Sequence, residues 1–251
     1  MKRYKKTAAV AGVFFVIATV AAITGLILYN PILHNPDFIV GSTQYQMQIR
    51  WGAFFEILTA ISVMGTAITL FPVLKKYNEA MAISTVAFRL LEATIIIIGI
   101  MSMLTILSLN QHFITGIDKN TNNYILHGQM LVALHDWTFL FGPNIALGPS
   151  TLITSYLLYK SRLVPRFISV LGMVAGPLIS ISGILVLFGT YPQISLLGVF
   201  FSLPVFTYEL VLAGWLLIKG FKSEERQMEE MVNLQFYANA IEPNSNFNST
   251  L

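Results

Sequence analysis

The chain has 251 residues, 55% of them hydrophobic and only 11% charged, with a mean hydropathy of +0.69. Ordinary soluble domains carry about 25% charged residues, so no soluble class fits. Cysteine is absent, which excludes disulfides, thiolate metal sites and a cysteine nucleophile. The net charge of +3 comes from basic residues scattered over several short segments without aromatic interleaving, so no nucleic-acid partner is expected.

Six apolar segments are long enough for a bilayer, which takes about 20 helical residues. They run over Thr7–Leu28, Arg50–Leu74, Met81–Leu109, Gln129–Tyr159, Arg166–Gly189 and Ile194–Lys219. The expected fold is an all-α integral membrane protein, six transmembrane helices in one bundle over residues 1–222. Residues 223–251 then form a cytoplasmic tail, partly disordered. The first segment follows a basic stretch, Met1–Lys6, as a signal peptide would. Its apolar run of about 22 residues exceeds the ~7–15 of a signal sequence, so a retained helix is expected.

Orientation follows from the lysines and arginines. All 15 except Arg50, Arg89 and Lys119 fall at the two terminal flanks or in the connections at Lys75-Lys76 and Lys160–Arg166. Both termini are therefore expected in the cytoplasm, with the protein multi-pass in the cell membrane. The opposite connections, Tyr29–Ile49 and Asn110–Gly128, contain proline, asparagine and glycine and are expected as loops. The fourth segment is interrupted by Gly142-Pro143 and Gly148-Pro149, which predicts a kink that frees backbone carbonyls. The fifth carries Gly172, Gly176, Ser180 and Gly183, a stripe that lets helix backbones approach closely. Tyr29, Trp51 and Trp137 are placed as interfacial anchors.

Five ionisable residues interrupt the apolar segments: Glu56, Arg89, Glu92, Asp136 and Glu209. Each costs about 2.5–3.5 kcal/mol at mid-bilayer on insertion scales, so each needs a partner. Arg89 and Glu92 are three apart and share a helix face. At 1.5 Å per residue, Arg89 and Glu209 lie roughly 12 and 15 Å from the cytoplasmic ends of their helices, so an Arg89–Glu92–Glu209 cluster is expected. Glu56 and His135-Asp136 lie roughly 10 Å inside the opposite surface and form a second layer. Glu56 shares a face with Gly52 and Ala60, which turns it toward neighbouring helices. Four carboxyls then face one arginine, and a dry interior does not hold that imbalance. At least one carboxyl is expected to carry a proton or a cation.

Several motifs together resemble a bacterial membrane-protein family, domain of unknown function 4386. They are Phe71-Pro72-Val73-Leu74-Lys75-Lys76 with Asn78-Glu79, Phe88-Arg89 with Glu92, and Asp136-Trp137 with Gly142-Pro143. Tyr159–Arg166, Pro204 with Glu209, Trp215 and Lys219-Gly220-Phe221 complete the set. The resemblance covers about Lys5 to Phe221. It implies a multi-pass membrane protein and brings no established activity.

Three functions compete on these residues. The first is a small transporter or ligand-binding protein, its ligand- or proton-binding residues Arg89, Glu92, Glu209, Glu56, Asp136 and His135. Its partners would be the lipid bilayer and a proton, small cation or small molecule. The second is a non-transporting sensor, immunity or assembly protein in which the charges only set the architecture. The third is an intramembrane metal-dependent enzyme using Asp136, His135 and Glu56. No cofactor is expected, and no metal in the first two.

Overall fold

A computed structural model describes residues 2–35, 39, 45–116, 120–192 and 195–222. The expected tail from residue 223 lies outside the described residues. Among these, the regular structure is helical throughout: α1 (Lys2–Leu33), α2 (Gln46–Leu74), α3 (Glu79–Thr115) and α4 (Thr121–Leu140). A π-helical turn, Phe141–Ala146, leads into α5 (Leu147–Ser161), followed by α6 (Arg166–Leu187) and α7 (Leu196–Ile218).

Five helices, α1, α2, α3, α6 and α7, are long and apolar enough to cross a membrane. The segment expected as a fourth span is helical from Thr121 to Ser161 but is divided by the π turn into α pieces of 20 and 15 residues. Pro143, without an N–H, sits in that turn. A proline cannot donate to the carbonyl one turn back, and a widened turn is one way a helix absorbs the loss. The expected kink is therefore a π turn.

Helix ends differ from the sequence expectation on the far side from the basic residues. α3 begins where Asn78 caps it by accepting from Met81 N–H at 3.0 Å, and ends at Gly116 with φ of 79°, a left-handed stop suited to glycine. It does not end at Leu109 but runs to Thr115, and α4 already starts at Thr121. At 37 residues and 1.5 Å per residue α3 is roughly 55 Å long, well beyond a ~30 Å hydrocarbon core. Of the residues expected as loop, 29–33, 46–49, 110–115 and 121–128 are helical, while residues 36–38, 40–44 and 117–119 lie outside the described residues. Asn110 donates to Ile39 O at 2.8 Å and accepts from Gln46 Nε2 at 2.9 Å, tying α3 to the connection and to α2.

The helices close into a ring. α1 packs on α2 and α7, α2 on α3, α3 on α4 and α5, and α6 on α5 and α7. The small-residue stripe sets the tightest crossing: a Cβ on Gly176 would lie 2.6 Å from Gly148 O and 2.9 Å from Leu152 N. α1 meets α7 similarly, with a Cβ on Gly12 falling 3.0 Å from Ala213 O. The start of α1 and the end of α7 lie together, Gly220 resting against Lys5 and Ala8, and Lys222 N–H bonds Leu163 O of the α5–α6 connection at 2.8 Å. The basic connections around α1, α5, α6 and α7 thus gather at one end of the bundle, called the basic end below.

Candidate functional site

α3 carries Arg89 into the centre of the bundle, where it is buried. Its guanidinium is shared among three helices. Nε donates to Ser150 Oγ of α5 at 3.0 Å, Nη1 to Glu92 Oε2 at 3.3 Å, and Nη2 to Glu209 Oε1 of α7 at 2.9 Å. Its Cζ also lies 5.9 Å from the Phe15 ring centroid of α1, within cation–π range. The cluster expected from helical depth is therefore assembled. Ser150 and Phe15 are the members that sequence reasoning missed. An apolar helix offers many serines and phenylalanines, and neither type marks itself as a charge partner.

A second group lies farther from the basic end. His135 of α4 approaches Glu56 Oε1 of α2 with Nε2 at 3.3 Å. Glu56 points into the bundle as expected, its Cγ beside Gly25 of α1, where a Cβ would lie 3.2 Å away. Tyr29, placed by sequence as an interfacial anchor, is instead fully buried. Its ring packs on Gly52 and meets His135 edge-on at 5.3 Å between centroids, with Glu56 beside its hydroxyl. Trp51 and Trp137 are exposed, as anchors require.

Asp136 does not join either group fully. Its side chain is 58% exposed, and Oδ1 stands 3.9 Å from His135 Nδ1, too far for a hydrogen bond. One residue along a helix turns the side chain by about 100°, so the neighbour of an inward His135 cannot also face inward. Glu56 and Asp136 also address opposite ring nitrogens of His135, so the three do not converge on one point. Among the described residues no group of three His, Cys, Asp or Glu side chains is placed to hold a metal ion.

The two groups are connected by space. A cavity of about 420 Å³ is bordered by Arg89, Glu92 and Glu209 on one side and by Glu56 and His135 on the other. Its remaining wall is largely aliphatic and aromatic, from α1, α2, α4 and α7, and includes Phe139 and Pro143 beside the π turn. That volume lies in the ~300–1,000 Å³ range of small-molecule sites, which are mostly apolar with a few convergent polar groups.

Residues 10–220 match the family described as Domain of unknown function (DUF4386). No curated protein and no solved structure matches the chain.

Proposed function

We propose that this chain, which belongs to the DUF4386 family, is a six-span membrane protein that binds or transports a small ligand through the central cavity. Both termini lie in the cytoplasm and the protein resides in the cell membrane; the gathering of basic connections at one end supports that topology. The observation that carries the reading is that one cavity touches both charge groups. A purely architectural ion pair needs no space beside it. Glu56, Glu92 and Glu209 border the cavity against Arg89 and His135, so acids outnumber bases even with the imidazole charged. A proton or cation restores the balance, and a carboxyl there gives up its proton as the ligand binds.

Proton movement tests this directly. In liposomes holding a pH-sensitive dye, an acid pulse is expected to equilibrate faster with the protein than without it. Glu209→Gln and Glu92→Gln should slow equilibration to the protein-free rate. Unchanged flux in both variants overturns the reading.

A second reading rests on the Arg89 tie itself. A guanidinium bonded to α3, α5 and α7 is what a structural pin requires. On that reading the protein is a non-transporting membrane sensor, immunity or assembly protein. The same carboxamide variants would then lose stability while flux never exceeded the protein-free rate.

A further inference from the structure

The cavity offers a ligand less polar chemistry than its lining implies. The hydroxyls of Thr19, Thr59, Thr138 and Ser202 border it, yet each donates to a carbonyl of its own helix, at 3.0, 3.0, 2.7 and 3.0 Å. Arg89 spends three of its five N–H donors on Ser150, Glu92 and Glu209, and its one charge is matched against two of the three glutamates. What faces the space is therefore mainly acceptor and negative: carboxylates of Glu56, Glu92 and Glu209 set in an apolar wall. A matching ligand has one cationic, N–H-bearing end and an apolar body, because an anion would meet the acid excess and a polar body would lose water without gaining partners.

The route into the cavity is also marked. α1 and α7 touch near the basic end, at Gly12 and Ala213. Farther along, both helices border the cavity, and Ile23, Val199, Leu203 and Phe206 there are at once lining and exposed, Leu203 by 55%. From Leu196 to Pro204 α7 has no buried side chain, whereas beyond it Val205, Tyr208, Leu212, Ala213 and Leu216 are buried. In a membrane-spanning bundle this flank meets lipid. A gap between two lipid-facing helices admits a molecule dissolved in the bilayer.

We infer that the cavity takes an amphiphilic amine, an ammonium head on an apolar chain, which enters sideways from the membrane between α1 and α7 and presents its N–H groups to Glu56, Glu92 and Glu209. This rests on the ligand-binding reading above and names the class of ligand for the same site.

The test uses radiolabelled dodecylamine and the full-length protein in phosphatidylcholine nanodiscs, with empty nanodiscs subtracted. Saturable binding is expected, undisturbed by a large excess of methylamine or by equimolar dodecanol. Leu203→Trp and Val199→Trp, bulky residues at exposed positions of the gap, should each weaken it about tenfold, and Glu56→Gln by a similar factor. Displacement by methylamine, with both tryptophan variants binding normally, means the site is reached from water; the sideways route then falls while the ligand-binding cavity stands. Displacement by dodecanol as effective as by dodecylamine itself overturns recognition of the ammonium head. Absence of saturable dodecylamine binding overturns the inference altogether, and the proton-flux experiment decides separately whether the cavity reading falls with it.

Discussion

The half of the bundle near the basic end and the half beyond it handle buried charge in opposite ways. Near the basic end, backbones close on glycines at 148, 176 and 12, and Arg89 spends three donors on three partners drawn from α3, α5 and α7. Beyond it, α7 presents no buried side chain until Val205, and His135 and Glu56 share a single bond of 3.3 Å at the border of a cavity. In one half a single guanidinium ties three helices together. The other leaves capacity unspent and so keeps room for something else. A binding site needs both, because a cavity holds its shape only when the helices around it are anchored elsewhere.

The sharpest way to break this contrast is to remove the tie. Arg89→Leu strands two carboxylates and Ser150 without their donor, and losing one partner of a buried ion pair costs about 3–5 kcal/mol. The expected outcome, read as thermal unfolding in detergent, is the largest loss of any single substitution considered for this chain. Adding Glu92→Gln and Glu209→Gln to Arg89→Leu should restore a large part of it, since neutral amides tolerate the dry site better than unpaired carboxylates. An Arg89→Leu protein as stable as the parent would show that the guanidinium anchors nothing.

That tie was legible in the sequence because helical rise converts residue number into depth. Arg89 and Glu209 lie 120 positions apart, yet both sit a similar distance from the same end, and they meet at 2.9 Å. Glu56 was legible for a related reason, since Gly52 and Ala60 mark its face as a packing face. Asp136 was not: inside an apolar segment a charge reads as buried, but its facing depends on a helix phase that an all-round apolar helix does not reveal. Tyr29 was misplaced because an aromatic near a helix end has two homes, the interface or a glycine notch, and only the neighbour at Gly52 decides between them. The cavity had no signature in the chain, because its lining comes from helices far apart in sequence, from Ala18 of α1 to Glu209 of α7.

The glycine crossings give a second contrast, of intermediate size. Gly176→Ala sets a methyl 2.6 Å from Gly148 O and 2.9 Å from Leu152 N, backbone atoms that move only if α5 and α6 separate. Overpacking of this kind costs about 1–3 kcal/mol. Gly25→Ala, in the cavity half, meets Glu56 Cγ, the stem of a side chain, at 3.2 Å, while the nearest backbone atom, Gly52 O, stands at an ordinary contact distance of 3.6 Å. Its expected cost is below about 1 kcal/mol, at the mild end of the same overpacking scale. Equal losses of melting temperature in the two variants would erase the difference in packing between the halves.

The smallest effects sharpen the comparison within the far half, where two acids flank one histidine. Glu56→Gln keeps the shape and alters the one contact of 3.3 Å to His135, so about 0.5–1.5 kcal/mol is expected, the ordinary worth of one hydrogen bond. Asp136→Asn removes a charge that is 58% exposed and 3.9 Å from its neighbour, a surface change expected within about 0.5 kcal/mol either way. The two substitutions alter the same functional group on either side of the same ring, so composition and distance along the chain cancel. Only facing remains. If Asp136→Asn proved the more damaging, in unfolding or in dodecylamine binding, α4 would have to be rotated relative to the bundle. His135 would then turn away from Glu56, and the 3.3 Å contact between α4's imidazole and α2 at the cavity border would be lost.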